Sequence, residues 1–331
     1  MNVLYTCDDN YIWLMGISAV SLFENNKHIK ELTIYLLGEK ICGKNKDILK
    51  IIADKYKRKI IIIDVPKIDI PQSLVSSRWP LSAFTRLYAG QLLPESINKI
   101  LYLDCDTIVK GNIEDLELIK LDSNLFWGTK DCIGSIYKKN IGLKKNCAYI
   151  NAGVLLINLK ELRKVDIKYV IDRYMSQFQR SVNYADQDIL NGVFWNRIGT
   201  LKPEYDVMTI NAVYTYEEIT ALRSPTNFYT KQELERAVRE PIIIHYTTNM
   251  TTIRPWFKNT DHPFADEFRK YMFLSPWKGK ELSDMVFDSK ESKIIAAIIN
   301  VFPKRASYRI LGLLHSKLKP LYIRFKAKAI V

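Results

Sequence analysis

The chain has 331 residues, 47% of them hydrophobic, with five cysteines and a formal net charge of +13. That is enough for one large α/β domain with an appendage, or for two domains, and a full core can be buried. No run of eighteen or more apolar residues occurs, which excludes a membrane-spanning helix, and five cysteines without a CxxC pair fit free thiols in a reducing cytosol better than a disulfide scaffold or a zinc site.

The charge is unevenly placed. Residues 292–331 carry nine Lys and Arg and no Asp or Glu, which leaves +4 for residues 1–291. The basic character thus belongs to a tail. A nucleic-acid protein would interleave basic and aromatic residues across its main domain, so no nucleic-acid partner is expected. Asp8 and Asp9 precede any long apolar stretch, and no Lys or Arg stands before them, so a secretory signal is not expected.

In chain order, Val3–Thr6 reads as a short strand before Cys7-Asp8-Asp9-Asn10. Tyr11–Glu24 suits a helix with Ile12, Met15, Val20 and Phe23 inward. Leu32–Leu37 is strand-like and ends at Gly38. Lys46–Lys57 suits an amphipathic helix, and Pro66 terminates the β-branched run Ile60–Val65. Ser82–Leu92 is expected as a helix and Ile100–Leu103 as a strand. Phe126–Thr129 and Val154–Asn158 read as further strands, with helices starting at Leu159 and continuing to Gln179, and again over Asp186–Trp195. Ile242–His245 is a short strand that delivers a histidine. From about residue 276 a polar connector leads to basic amphipathic helices, Ile294–Phe302 and Ile310–Leu321. Strands alternating with helices indicate a parallel or mixed sheet covered on both faces.

The segment Lys99-Ile-Leu-Tyr-Leu-Asp104-Cys105-Asp106 ends an apolar run in two carboxylates. In an extended chain residues two apart share a face. Asp104 and Asp106 can therefore grip one hard cation, with Cys105 turned the other way. The same acids could instead cap the next turn or pair with Arg or Lys. In open α/β sheets ligands sit beyond the carboxyl ends of strands, and magnesium or manganese prefers oxygen ligands and often bridges to phosphate. His245 is either structural or a third ligand, and an imidazole beside two carboxylates favours manganese. Cys7-Asp8-Asp9-Asn10 is either a capped loop or a nucleotide pocket, where Asp accepts an imide N–H of uracil. Asp186 suits a helix N-cap, while Gln187 or an acid here could face a sugar. Asn151 could bond a sugar hydroxyl beside Gly153. Arg86 pairs either with a surface acid or with a carboxylate or phosphate near the metal.

Together and in this order, the segments resemble glycosyltransferase family 8. These retaining GT-A enzymes include bacterial lipopolysaccharide and lipooligosaccharide galactosyl- and glucosyltransferases and the glycogenins. The resemblance runs from residue 3 to about 260. Its carriers are Thr-Cys-Asp-Asp-Asn-Tyr, Phe-Thr-Arg-Leu, Leu-Tyr-Leu-Asp-Cys-Asp, Asn-Ala-Gly-Val-Leu-Leu-Ile-Asn-Leu, Asp-Gln-Asp-Ile-Leu-Asn, and His-Tyr followed by Arg-Pro-Trp. It implies a Rossmann-like mixed sheet flanked by helices over residues 1–275; the basic helical tail over 276–331 is read from the residue pattern beyond it. It also implies Asp104, Asp106 and His245 as ligands of manganese or magnesium. Cys7, Asp8, Asn10, Cys105, Asn151, Thr248 and Arg254 are implied around a UDP-sugar. Arg86 is implied near the donor sugar and phosphate, with Asp186 and Gln187 at the transferred sugar. One departure stands out. The family pattern His-x-x-Gly-x-x-Lys-Pro-Trp has Thr248 in place of its Gly here, Arg254 in place of its Lys, and Pro255-Trp256 three residues late.

The expected function is metal-dependent, retaining transfer of galactose or glucose from UDP-galactose or UDP-glucose to a glycan or lipid-linked acceptor in cell-surface polysaccharide or lipopolysaccharide synthesis. The rival is a UDP-sugar-binding pseudo-enzyme or hydrolase with an altered phosphate loop. The tail is expected either to pack on the core as a helical subdomain or to lie on an anionic membrane surface. The second option places the protein in the cytoplasm, on the inner face of the cell membrane.

Overall fold

The computed structural model describes residues 1–66 and 84–328. Seven strands form the central sheet in the order β3-β2-β1-β4-β7-β6-β8. They are β1 (Asn2–Asp8), β2 (Thr33–Glu39), β3 (Lys59–Asp64), β4 (Lys99–Leu103), β6 (Phe126–Lys130), β7 (Ile150–Asn158) and β8 (Ile198–Thr200). β7 alone runs against its neighbours. A smaller sheet pairs β5 (Thr107–Val109), β10 (Ile243–His245) and β9 (Val207–Met208).

Two features of this topology create a site. The chain winds outward from β1 through β2 to β3, then returns to lay β4 on the other side of β1. The carboxyl ends of β1 and β4 therefore flank a switch point, where such sheets open a crevice. Antiparallel β7 brings its amino-terminal residues to the same edge, where the Asp104 N–H donates to the Gly153 carbonyl at 2.7 Å. β10 pairs antiparallel with β5 and sets His245 opposite Thr107, one residue past Asp106.

Helices form on both faces because their apolar positions demand burial. In the helix Ile12–Asn25 nearly every side chain is buried, including the four expected inward. The expected helix from Leu159 to Gln179 is two: Leu159–Leu162 and Ile167–Phe178. Asn158 caps the first through the Glu161 N–H, and Asp166 caps the second through the Tyr169 N–H. Side-chain caps outcompete helix continuation at Asp and Asn. Residues 84–92 are helical in two short pieces, Arg86–Tyr88 as a 3-10 turn and Ala89–Leu92. Ser82 and Ala83 of that expected helix lie outside the described residues. β7 starts at Ile150 rather than Val154.

The tail forms helices over Lys290–Val301, Lys304–Gly312 and Lys319–Lys328, joined by a π-helical stretch Leu313–Leu318 and broken at Pro303. Its inner face packs on the main domain. Leu311, Ile295, Ile298 and Tyr308 join Met208, Tyr214, Ile219 and Leu222 in one apolar cluster. Asn140 Nδ2 donates to the Pro320 carbonyl, and Ser316 Oγ to that of Leu222. No helix among the described residues is long and apolar enough to cross a membrane.

Buried His262 gives the fold a pH dependence. Its Nδ1 accepts the Phe264 N–H at 3.1 Å, so Nε2 carries the proton toward Thr209 Oγ1. Burial pushes its pKa down from 6.5 to about 4. A depressed histidine stabilises the fold fully above the unfolded value and loses that contribution as pH falls through the folded value. We expect about 3 kcal/mol to be lost between pH 6.5 and 4 on this account. Urea titrations of wild type and His262→Gln at pH 7 and 4.5 check this: the gap between the two proteins should narrow in acid.

Candidate functional site: a carboxylate–histidine cluster beside a buried arginine

Asp104, Asp106 and His245 converge at the crevice, each offering one ligand atom, all within 4.8 Å of one another. His245 Nε2 lies 3.3 Å from Asp106 Oδ1 and 3.7 Å from Asp104 Oδ2. On its other side His245 Nδ1 donates to Asp206 Oδ1 at 3.0 Å, and Thr129 Oγ1 donates to Asp206 Oδ2 at 2.9 Å. This partner fixes the ring so that Nε2 faces the two acids, as outer carboxylates do for metal-bound imidazoles. Gly153 is required here by space. A Cβ on it would press on His245 Cε1 and stand 2.8 Å from Asp104 Oδ2.

Asp104 is fastened by one oxygen only. Its Oδ1 accepts from the Tyr102 hydroxyl at 2.5 Å and lies 2.9 Å from Arg86 Nη2, which leaves Oδ2 facing His245. Arg86 is buried above the Tyr102 ring, with Nη1 on the Ala152 carbonyl at 2.5 Å and Nε 3.1 Å from Asp186 Oδ2. Burial opposes its charge, but the Asp104 and Asp186 carboxylates outweigh that and hold its pKa above the ordinary value. Burial pushes the Asp186 carboxyl up to about 6; Arg86 works against this and the Asp104 charge adds to it. Burial also opposes ionisation of Asp106, yet His245 and then Arg254 hold it below its usual range. Burial lowers the affinity of His245 for a proton, and Asp106 and Asp206 more than reverse that. These linked charges form a network that needs each member.

Gln187 is held at three points. Its Oε1 accepts the Ala152 N–H at 3.1 Å, and Nε2 donates to Asp131 Oδ2 at 3.0 Å and the Tyr149 hydroxyl at 3.2 Å. Asp188 accepts from the Tyr137 and Tyr149 hydroxyls and from the Asn183 and Tyr184 N–H groups. Asn151 Oδ1 takes the Gly153 N–H at 2.8 Å, at the start of β7.

The structure sorts the expectations. It brings Asp104, Asp106 and His245 together, puts Arg254 Nη1 3.8 Å from Asp106 Oδ2, and stacks that guanidinium on Trp256. Asp186 is not a helix cap. Tyr184 occupies that position, and the Asp186 carboxylate faces Arg86 instead. Arg86 pairs with buried Asp186 and half-buried Asp104, both in the crevice. At the end of β1 the Asp8 carboxylate caps a 3-10 turn through the Asn10 and Tyr11 N–H groups, while Asn10 itself is exposed. Cys7 is buried, and the Cys105 thiol turns into the core toward the Thr6 carbonyl, away from the acids. Thr248 is exposed in the loop after His245.

Sequence reasoning missed Tyr102, Asp131 and Asp206. Asp131 had a usable signal, since it ends the strand Phe126–Lys130 as Asp104 ends β4. Asp206 had none, because its importance comes from β9 pairing with β10.

Comparison with known proteins identifies the family and the fold. The profile described as Glycosyl transferase family 8 matches residues 2–260. A lipopolysaccharide 1,2-glucosyltransferase of Escherichia coli is 29% identical over 287 residues, covering 84% of this chain and 79% of that protein. General stress protein A of Bacillus subtilis (strain 168) is 24% identical over 280 residues, covering 84% and 94%. The crystal structure of the galactosyltransferase LgtC in complex with donor and acceptor sugar analogs superposes with a TM-score of 0.68 at 24% identity, over 85% of this chain and 100% of that one. With the profile spanning most of its length, the chain belongs to glycosyl transferase family 8 and is a glycosyltransferase of GT-A fold.

Proposed function

We propose that the protein transfers galactose or glucose from a UDP-sugar to a glycan acceptor of the cell surface, such as lipopolysaccharide, with retention at the anomeric carbon. The observation that carries this is the convergence of Asp104 Oδ2, Asp106 and His245 Nε2 on one point at the sheet's switch point. Two carboxylates and an imidazole suit manganese, with magnesium as the alternative. Relatives named as glucosyl- and galactosyltransferases of lipopolysaccharide support the choice of sugar and acceptor.

A divalent cation held there supplies positive charge to the departing diphosphate. Arg254, beside Asp106, adds a planar donor for phosphate oxygens. Asp8, Asn10 and the backbone at Cys7 and Cys105 border the uridine, and Thr248 borders the diphosphate. Asn151, Asp186 and Gln187 orient the sugar, with Arg86 fixing Asp186. Among the described residues here, no carboxylate is free to act as a nucleophile. Asp186 faces Arg86, Asp188 holds four donors, and Asp131 holds Gln187 and the Cys132 N–H. Gln187 is itself a poor nucleophile. Attack on the same face through an ion-pair-like state therefore fits better than a covalent intermediate.

A screen of UDP-sugars with manganese, with and without acceptor glycans, tests this reading. Transfer that stops on chelation supports it. Hydrolysis alone, unchanged by any acceptor, would favour the hydrolase.

Gly153→Ala gives a second check. The added methyl should displace His245 and lower manganese affinity by about 10–100-fold, the range seen when ligand positioning is lost. Titration of manganese by electron paramagnetic resonance measures this, and unchanged affinity would move the metal elsewhere.

We also propose that residues 276–331, packed on the main domain by their inner face, rest by their outer face on the inner, anionic face of the cytoplasmic membrane. Leu313, Leu314, Leu318, Leu321, Tyr322 and Phe325 are exposed beside Lys317 and Lys326. Each such charge contributes about 1 kcal/mol at an anionic surface. Lys317→Glu with Lys326→Glu should weaken flotation with phosphatidylserine vesicles by at least about tenfold, and equal flotation would refute the placement.

A further inference from the structure

The two edges of the central sheet are finished differently. β8 forms one edge with three residues, Ile198–Thr200, and an edge that short offers little to pair with. The other edge is β3, six residues long, with the run Ile60-Ile61-Ile62-Ile63 at its centre. That run carries none of the usual protections: no Pro, no charge and no break in its register with β2. Among the described residues no strand pairs with its outer side. Ile61 is 38% exposed, a large apolar side chain at this open edge.

The backbone shows which groups face outward. β3 runs parallel to β2, and the Val65 N–H donates to the Gly38 carbonyl at 3.0 Å. Alternation along the strand turns the N–H and C=O groups of Ile61 and Ile63 toward β2 as well. Those of Ile60, Ile62 and Asp64 therefore point outward. Charge is also ordered along the strand. Arg58 and Lys59 stand at its start and Asp64 at its end. The Arg58 guanidinium donates to the carbonyls of Asn26, Lys27 and Lys30, and among the described residues it meets no acid. Asp64 has Lys46 at 3.5 Å, but both side chains are exposed, and such a pair is easily exchanged. A strand that is basic at one end and acidic at the other complements itself when turned antiparallel.

We propose that β3 is a dimerisation edge whose partner is a second copy of this chain, joined antiparallel so that one sheet runs through both. Outward groups must meet outward groups. Of the registers that satisfy this, the one with Ile61 on the two-fold axis sets Ile60 opposite Ile62 of the second copy. It also sets Arg58 opposite Asp64 of the second copy at each end, where opposite charges on facing residues stabilise the pairing. The contact is isologous and closes at two copies. An unrelated strand would satisfy the backbone equally but not both charged ends.

Sedimentation velocity of the full chain reads the oligomeric state, and introduced cysteines read the register. Wild type should sediment as a dimer at about 100 μM and dissociate on dilution. Ile61→Lys brings two ammonium groups together on the axis, and Asp64→Lys sets a cation opposite Arg58. Each should weaken the dimer tenfold or more, since like charges directly opposite repel. Both side chains are exposed, so the variants keep the fold, with circular dichroism as the control. In a Cys42→Ser background, Ile61→Cys should form an intermolecular disulfide with diamide, because residues facing each other in a non-hydrogen-bonded pair lie about 4.5 Å apart at Cα. Lys59→Cys, which faces Ile63 of the second copy, should not. Wild type that stays monomeric at about 100 μM, a dimer unchanged in both lysine variants, or Lys59→Cys crosslinking as readily as Ile61→Cys would each overturn the edge pairing.

Discussion

Replacing Asp104 and Asp106 together by Asn should abolish sugar transfer, by at least about a thousandfold, and leave the fold in place. Asn keeps the shape and most hydrogen bonds of each side chain but removes the two negative charges that make the cluster a cation site. Loss of one well-placed charge-stabilising group in an active site costs about 10²–10³ in rate, and here two go together. The fold is expected to survive because Asp104 Oδ1 is the atom bonded to Tyr102 and Arg86, and an amide oxygen can still accept there. Steady-state transfer assays, with circular dichroism as the control for folding, read this directly. Wild-type activity with wild-type metal dependence in the double variant would end the proposed mechanism.

The second large effect falls on stability. Arg86→Met should destabilise the protein by about 3–5 kcal/mol, the cost of leaving a buried charge without its partner. Arg86 is 6% exposed and Asp186 is 6% exposed, so water cannot replace the lost contact. Arg86 also reaches Asp104 and the Ala152 carbonyl, and one substitution therefore frees three acceptors. Arg86→Lys should recover little, because a lysine ammonium cannot span Asp104, Asp186 and the backbone from one plane. Adding Asp186→Asn to Arg86→Met should restore part of the loss, since the worst unpaired charge is then gone. Urea unfolding of wild type, Arg86→Met, Asp186→Asn and the double variant gives the coupling. A loss below about 1 kcal/mol for Arg86→Met would mean that the site is held by packing alone.

These two predictions rest on different amounts of sequence information. The acids at the end of β4 were legible because an apolar run ending in Asp-x-Asp has a physical meaning without any partner. The strand carrying His245 was legible too, but not what it would meet. That depends on β10 pairing antiparallel with β5, a contact between residues more than a hundred positions apart. Asp186 was legible in two ways, as a helix cap or as an acid facing a sugar, because Asp at a helix start often caps. Here the side chain turns to Arg86, which no local rule anticipates. Asp206 and Tyr102 carry no sequence signal at all, since their roles exist only once β9 and β4 have been placed. Local propensity likewise read one helix from Leu159, and two capping side chains divided it. The tail's amphipathic pattern was visible in the sequence, while its packing on residues 208–222 was not.

The central claim is that Asp104, Asp106 and His245 hold a cation that in turn holds a diphosphate. The most direct measurement is UDP affinity by calorimetry, with and without manganese, for wild type and His245→Ala. The account predicts that manganese tightens UDP binding at least about tenfold in wild type, equivalent to about 1.4 kcal/mol, and does so far less in the variant. UDP binding that is equally tight with and without manganese in wild type would contradict it.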